Sequence, residues 1–213
     1  NEFYVSFPPC YDEESPGGDN SLRIFVASGV RQEVVLEVKG QGYRVSKVTV
    51  PNDVIEFRIP TNVGQPYLKR GNQFAPPEQV YREAAVHIKA RAPIIVYGMT
   101  RYQYTSDGFL AIPISAFGTE YVVASYPQYT AAGSNYELPA MSNVIAAYDD
   151  TEMTFTMGGT SGSVTSGGLR KGQKATFSMM KGDVVCFANN GDAGDVAGSL
   201  VKSTKPVGVV SGI

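Results

Sequence analysis

The sequence predicts an all-β fold: two tandem, mutually packed β-sandwich modules arising from an internal duplication, residues 1–116 and residues 117–213. Three observations predict it. Short runs of β-branched and aromatic residues alternate apolar with polar, helical periodicity is almost absent, and the order of segments in the first half returns in the second. The 23 glycines and 13 prolines supply the turns that many short strands need.

The runs at 21–28 and 32–38 are the first clear strands, with Gly29 turning the chain between them. In the second run Val34, Leu36 and Val38 share one face and Glu33 and Glu37 the other, a strand with one buried and one wet side. Residues 43–50, 54–59, 83–90 and 93–99 read the same way, and the Pro-, Gly- and Asn-rich stretch 60–77 reads as a long surface loop. Tyr121-Val-Val-Ala-Ser-Tyr-Pro127 then echoes Phe3-Tyr-Val-Ser-Phe-Pro8. The run at 143–148 echoes 22–27, residues 151–157 echo the strand of Val34, and 205–212 echo 92–98, at an offset of about 113 to 120 residues. The boundary is expected near Ser115 to Gly118, with Asp107-Gly108 turning the chain at the junction. A single larger sandwich whose halves share strands is the alternative.

Composition narrows the function. A hydrophobic fraction of 43% fits a packed core. A net charge of -2 with Lys and Arg scattered singly gives no field for nucleic acid or an anionic membrane. No apolar run approaches ~18 residues, so no membrane insertion is expected. The chain opens on a strand-like segment at Asn1, so a secretion signal is expected to be absent or already removed. Cys10 and Cys186 leave three outcomes open: a disulfide with each other, two buried or free thiols, or pairing outside this sequence.

The chemistry-bearing residues are sparse, and no enzyme is expected. His87 is the one histidine; Val86, Ile88 and Ala90 take one strand face and leave it beside Ala85 and Lys89, facing solvent. A serine or cysteine triad would need His87 as base. Neither cysteine sits in a nucleophile motif, and Gly159-Thr-Ser-Gly-Ser163 lacks the closing glycine of a nucleophile elbow. One His and two Cys are too few for an ordinary zinc site. Residues 191–198 lack the spacing of a dinucleotide loop and read as a loop opening a strand.

Carboxylates offer more. Asp12, Glu13, Glu14 and Asp19 form one acidic loop, Asp149 and Asp150 a second, and Asp192 and Asp195 a third. Clustered loop carboxylates with glycines are how extracellular modules hold Ca²⁺, so calcium at the first and third loops stands beside the plainer reading of solvated turn acids. The 13 tyrosines, unaccompanied by tryptophan, are densest in Tyr97, Tyr102, Tyr104, Tyr121, Tyr126, Tyr129 and Tyr136. Such a cluster marks either a binding surface, for which Tyr97, Tyr102, Tyr104, Tyr126 and Tyr129 are the candidates, or cross-strand packing on a sheet.

The sequence resembles the N-terminal domain of the IgGFc-binding protein family. The resemblance is carried by Pro93-Ile-Ile-Val-Tyr-Gly98, by Ser106-Asp-Gly-Phe-Leu-Ala-Ile-Pro113 running into Gly118-Thr-Glu-Tyr-Val-Val-Ala-Ser-Tyr-Pro127, and by Gly191-Asp leading through Gly198-Ser-Leu-Val-Lys-Ser-Thr-Lys-Pro206 to Val209-Val-Ser-Gly212. The opening Glu2-Phe-Tyr-Val-Ser-Phe-Pro8 is similar to the family's start. The resemblance implies a secreted or cell-surface domain with no catalytic residues. Family members typically continue past the final Ser-Gly into further β structure, whereas this chain stops at Ile213, so the expectation is either that it is a fragment of a larger protein or that its remaining partner strands come from elsewhere. The expected function is non-enzymatic binding, adhesion or matrix structure, including self-assembly into surface fibres, with other extracellular proteins or copies of itself as partners. A lectin-like module binding glycans, assisted by calcium, is the alternative.

Overall fold

A computed structural model describes residues 1–10, 20–69, 73–102, 106–130, 137–190 and 194–213. The protein is all-β, 51% strand and 5% helical. The first half carries β1 (Glu2–Val5), β2 (Ser21–Ala27), β3 (Glu33–Val38), β4 (Tyr43–Val48), β5 (Val54–Ile59), β6 (Val80–Tyr81), β7 (Val86–Ala90), β8 (Ile95–Arg101) and β9 (Ser106–Leu110). The second carries β10 (Gly118–Val122), β11 (Tyr129–Thr130), β12 (Glu137–Leu138), β13 (Met141–Ala146), β14 (Thr151–Thr156), β15 (Lys174–Met179), β16 (Val184–Ala188) and β17 (Leu200–Gly212).

Two antiparallel four-stranded sheets, in the orders β1-β7-β3-β4 and β5-β2-β8-β9, face each other in the first half. Alternation sends Phe3 and Val5, then Val34, Leu36 and Val38, and Val86 and Ile88 inward from one sheet. Leu22, Ile24, Val26, Phe57, Ile59 and Val96 meet them from the other, and the shared core is fully buried. The segment expected to turn at Asp107-Gly108 is instead the edge strand β9. Its Phe109 ring enters the space over Gly98 on β8, where a Cβ would meet the ring at 2.3 Å, and tilts against Phe7 at 5.5 Å. Glycine at 98 is what lets the strand dock.

The second half uses one long sheet, β15-β14-β17-β13-β16-β6, with β10 also paired to β17. The segments expected as separate strands at 199–202 and 205–212 are one 13-residue strand, β17. Its start lies between β14 and β10, and its end, from Val207 on, runs beside β13. The β10 register slips between Gly118 and Glu120. Such a slip bends the ribbon and lets one strand serve both walls of a core. Phe155 of β14 and Phe187 of β16 stack across that core with centroids 3.7 Å apart, among Met153, Met157, Met179 and Val144.

The strand orders of the two halves correspond. The order β1-β7-β3-β4 is matched by β10-β17-β14-β15, and β5-β2-β8 by β16-β13-β17, so that β17 alone takes the places of β7 and β8. The strand β6, from the first half, hydrogen-bonds into the second half's sheet through β16.

The halves meet along β13 and β16, which are buried from end to end. One face of each strand supplies Val144, Val185 and Phe187 to the second core; the other sets Ile145, Val184 and Cys186 against Tyr4 and Ala85 of the first half. Polar bolts cross the same seam. Asn143 donates to Ser6 Oγ at 2.9 Å. Asp183, fully buried, accepts from Arg82, from the Glu83 N–H and from the Met180 N–H.

Candidate binding surfaces

His87 is not the solvent-facing residue its strand pattern predicts. Its ring stacks on Tyr4, centroids 4.5 Å apart and planes 10° apart. Nδ1 lies 2.9 Å from Glu37 Oε1 and Nε2 lies 2.8 Å from Glu2 Oε1. Lys181 reaches Glu2 from the second half at 3.4 Å, so the outer face of this sheet is partly roofed by the other half. Burial resists ionisation of Glu2, but the hydrogen bond to His87 and the charges of Lys181 and Lys89 outweigh it and hold the carboxyl below its ordinary range. Glu37 is held low chiefly by its hydrogen bond to His87 and also by Arg44. Burial pushes the Tyr4 hydroxyl well above its usual range. The cluster is a structural clasp built from charged groups, with every member engaged.

Cys10 and Cys186 form no disulfide with each other. Cys186 is fully enclosed in the seam, where burial pushes its thiol far above the ordinary value. Cys10 is half-buried at the edge of the first core, and its N–H donates to Gln65 Oε1 at 3.2 Å.

The candidate tyrosines divide. Tyr102 is buried in the first core with its hydroxyl donating to Gln65 Oε1. Tyr97 is 47% exposed on the outer face of β8. Tyr126 and Tyr129 are 73% and 55% exposed. Tyr104 lies outside the described residues. Tyr121, on β10, turns inward instead: its hydroxyl accepts from the Gly118 N–H and donates to the Val207 carbonyl.

Tyr97 does not stand alone. Register places Phe25, Tyr97 and Leu110 side by side across β2, β8 and β9, with Val54, Ala27 and Ile95 as the next row. Leu110 and Ile95 are 59% and 53% exposed. The polar border is Glu56, bonded to Arg23 at 2.9 Å and to Arg58 at 3.2 Å. Apart from Tyr97, this face consists of apolar side chains that carry no chemistry of their own. Its signal in the sequence is the apolar Ile95 and Tyr97 interleaved with the core residues Ile94 and Val96.

Of the acidic candidates, Asp12, Glu13, Glu14, Asp19 and Asp192 lie outside the described residues. Asp195 is held by its N–H on Ser163 Oγ at 3.0 Å, and its Oδ1 is buried with no hydrogen-bond partner. No group of three or more metal-ligating side chains occurs among the described residues. Asp149 accepts from the Lys181 N–H at 3.0 Å and so works as a turn acid.

A third feature is a groove between β9 and the end of β17. It comprises cavities of 430 and 270 Å³ that share Phe109, Val210 and Ser211 in their walls.

An all-β scaffold with exposed aromatic and aliphatic faces defines a class, the β-rich binding domains. Within it, the family model described as IgGFc binding protein matches residues 107–213, and the chain belongs to that family. The family is one of protein-binding domains and is typically extracellular. Among the described residues no helix is long and apolar enough to cross a membrane. No curated protein and no solved structure matches the chain.

Proposed function

We propose that this chain is an extracellular, non-enzymatic binding domain used in adhesion or matrix assembly, and that a protein partner docks on the outer face of the β5-β2-β8-β9 sheet. The observation that carries the reading is the two-row apolar patch around Tyr97, with Ile95 and Leu110 more than half exposed and a rim of paired charges. An apolar centre inside a polar rim is the anatomy of a protein interface, and tyrosine offers large contact area at little entropic cost. The test is biolayer interferometry of the chain against immobilised immunoglobulin G Fc and against itself. Binding to at least one surface is expected, with Tyr97→Glu weakening it at least tenfold, a loss of the size that a central anchor carries. No binding to either surface, or equal binding by the variant, overturns the reading. If the chain binds itself, electron micrographs should show filaments that Tyr97→Glu abolishes.

A second reading rests on a separate place. Tyr126, on the connection leading into β11, and Tyr129, at the start of β11, are exposed, and between them the Gln128 N–H donates to the Gly194 carbonyl at 2.8 Å, next in sequence to Asp195 with its unpaired oxygen. Exposed rings beside an unsatisfied carboxylate suit a glycan assisted by calcium. A glycan array probed with and without calcium tests it; an array without hits in both conditions rules it out.

A further inference from the structure

The two sheets of the first half face each other, so their outer faces point to opposite sides of that sandwich. Tyr97 is on one of them. The other carries a cleft of 530 Å³ across β3 and β7. Strand register orders its lining: His87, Glu37 and Arg44 lie side by side at one end, and Lys89 beside Val35 comes next. Arg31, Glu33 and Arg91 line the other end. The whole chain has 18 Lys and Arg against 20 Asp and Glu. This cleft reverses that balance, setting Arg31, Arg44, Lys89 and Arg91 against only Glu33 and Glu37. Glu37 is already engaged, since Arg44 donates to one oxygen at 2.8 Å and His87 lies 2.9 Å from the other. Among the described residues no hydrogen bond or ion pair uses the side chains of Arg31, Lys89 or Arg91. Lys89 reaches Glu2 only through its charge. Three exposed cations thus stand around one cleft, with Glu33 the one lining carboxylate outside the clasp.

We propose that this cleft binds an acidic segment of a partner protein, held extended, with carboxylates at alternate positions. Residues i and i+2 of a strand project to the same side, about 6.6 Å apart. Lys89 and Arg91 are so related on the protein, and the side chains of an extended peptide repeat the same spacing. Arg31 and Arg91 each offer a planar fork that takes a carboxylate in two parallel hydrogen bonds. Val35, half-buried between the charged rows, gives the segment's side-chain stems an apolar floor. Glu33 decides the class of ligand. A polymer charged on every unit, such as a sulfated polysaccharide, sets like charge against it. A peptide can meet it with a backbone N–H or a hydroxyl placed between the acids. One exposed ion pair contributes little, so the three cations act as a set and the binding is sensitive to salt. The contact is separate from the sheet face around Tyr97 and does not depend on it.

Fluorescence anisotropy with a short labelled peptide of alternating Glu and Thr tests the site. One control peptide carries Gln in place of Glu, and a second gathers the same Glu residues into one block. The alternating peptide is expected to bind at low ionic strength and to be released as salt is raised. Arg31→Glu with Arg91→Glu should weaken binding at least tenfold, because the reversal sets like charges against the peptide. Lys171→Glu with Lys174→Glu makes the same change in net charge on exposed residues of the second half and should leave binding within twofold. Circular dichroism confirms that each variant is folded; if the Arg reversal is not, Arg31→Gln with Arg91→Gln is read in its place. The site is overturned by no binding of the alternating peptide, by equal binding of the Gln peptide, by equal binding in the folded Arg variant, or by an equal loss in the Lys171 and Lys174 reversal. Equal binding of the block peptide overturns the alternate spacing. A heparin fragment that binds more tightly than the peptide, and loses its affinity in the Arg variant, overturns the choice of a peptide and makes a sulfated polymer the occupant.

Discussion

The two halves share a strand order and differ in how they close. The first joins its sheets through a turn between β7 and β8 and carries β9 on the far edge of β8; the second runs one continuous strand, β17, through both places. Their cores differ as well. Leu22, Ile24, Leu36, Ile59 and Ile88 fill the first, while the second relies on Met153, Met157, Met179 and the Phe155–Phe187 stack. Branched side chains have few rotamers and define a wall; methionine adapts to irregular gaps. A strand that bends between two walls produces such gaps. The difference shows that one strand order tolerates two packing solutions, so long as the outer face of β13 and β16 stays covered.

The sharpest way to break the comparison is Phe187→Ala. It removes one ring of the stack and the edge contact with Phe177 at 5.8 Å, and a cavity in the second core should cost about 3–5 kcal/mol. Leu36→Ala in the first core should cost about 2–5 kcal/mol. Urea unfolding measures both. If methionine closes around the void, the Phe187 cost falls below that of Leu36, and the adaptable second core becomes the more tolerant of the two.

Asp183→Ala tests the seam. It strips the acceptor from two backbone N–H groups and from Arg82, leaving buried donors unpaired, and should cost about 3 kcal/mol. Because these bonds tie the Arg82–Glu83 segment to the β16 hairpin, the loss should split one calorimetric transition into two. A single transition lowered in temperature would mean that the β13 and β16 face holds the halves together by apolar contact alone.

Most of the first half was legible because its sheets are wet on one side. Val34, Leu36 and Val38 against Glu33 and Glu37 announce both the strand and its inner face. In the second half Val184-Val-Cys-Phe-Ala188 is apolar without alternation, since both faces are covered. That run signals the central layer, but not what covers it. The strand β9 was hidden because Asp107-Gly108 is turn chemistry locally, and only the fit of Phe109 over Gly98, a contact distant in sequence, makes it a strand. His87 misled for a similar reason: strand parity gives the face, and the roof over that face comes from Lys181. Of the surfaces, Tyr97 could be picked out, but Tyr102 has the same side chain and lies in the core. Residue type alone does not tell an anchor from a wall.

The smallest expected effect concerns the clasp, which has no counterpart among the described residues of the second half. Glu2 and Glu37 have folded-state values below their ordinary ones. Their contribution to stability is therefore complete above the unfolded carboxylate value of about 4.3 and is lost as pH falls through the lower folded values. Glu37→Gln keeps the shape of the side chain and removes the titration. Its stability should be about 1 kcal/mol below that of the parent near neutral pH, the order of one hydrogen bond to a charged group on a half-exposed site. The gap should then close as the pH drops below about 4. Urea midpoints measured from pH 7 down to the edge of acid unfolding read this directly. A gap that stays constant across that range would mean that Glu37 acts through packing on the His87 ring, and that the ionic part of the clasp contributes nothing the second half lacks.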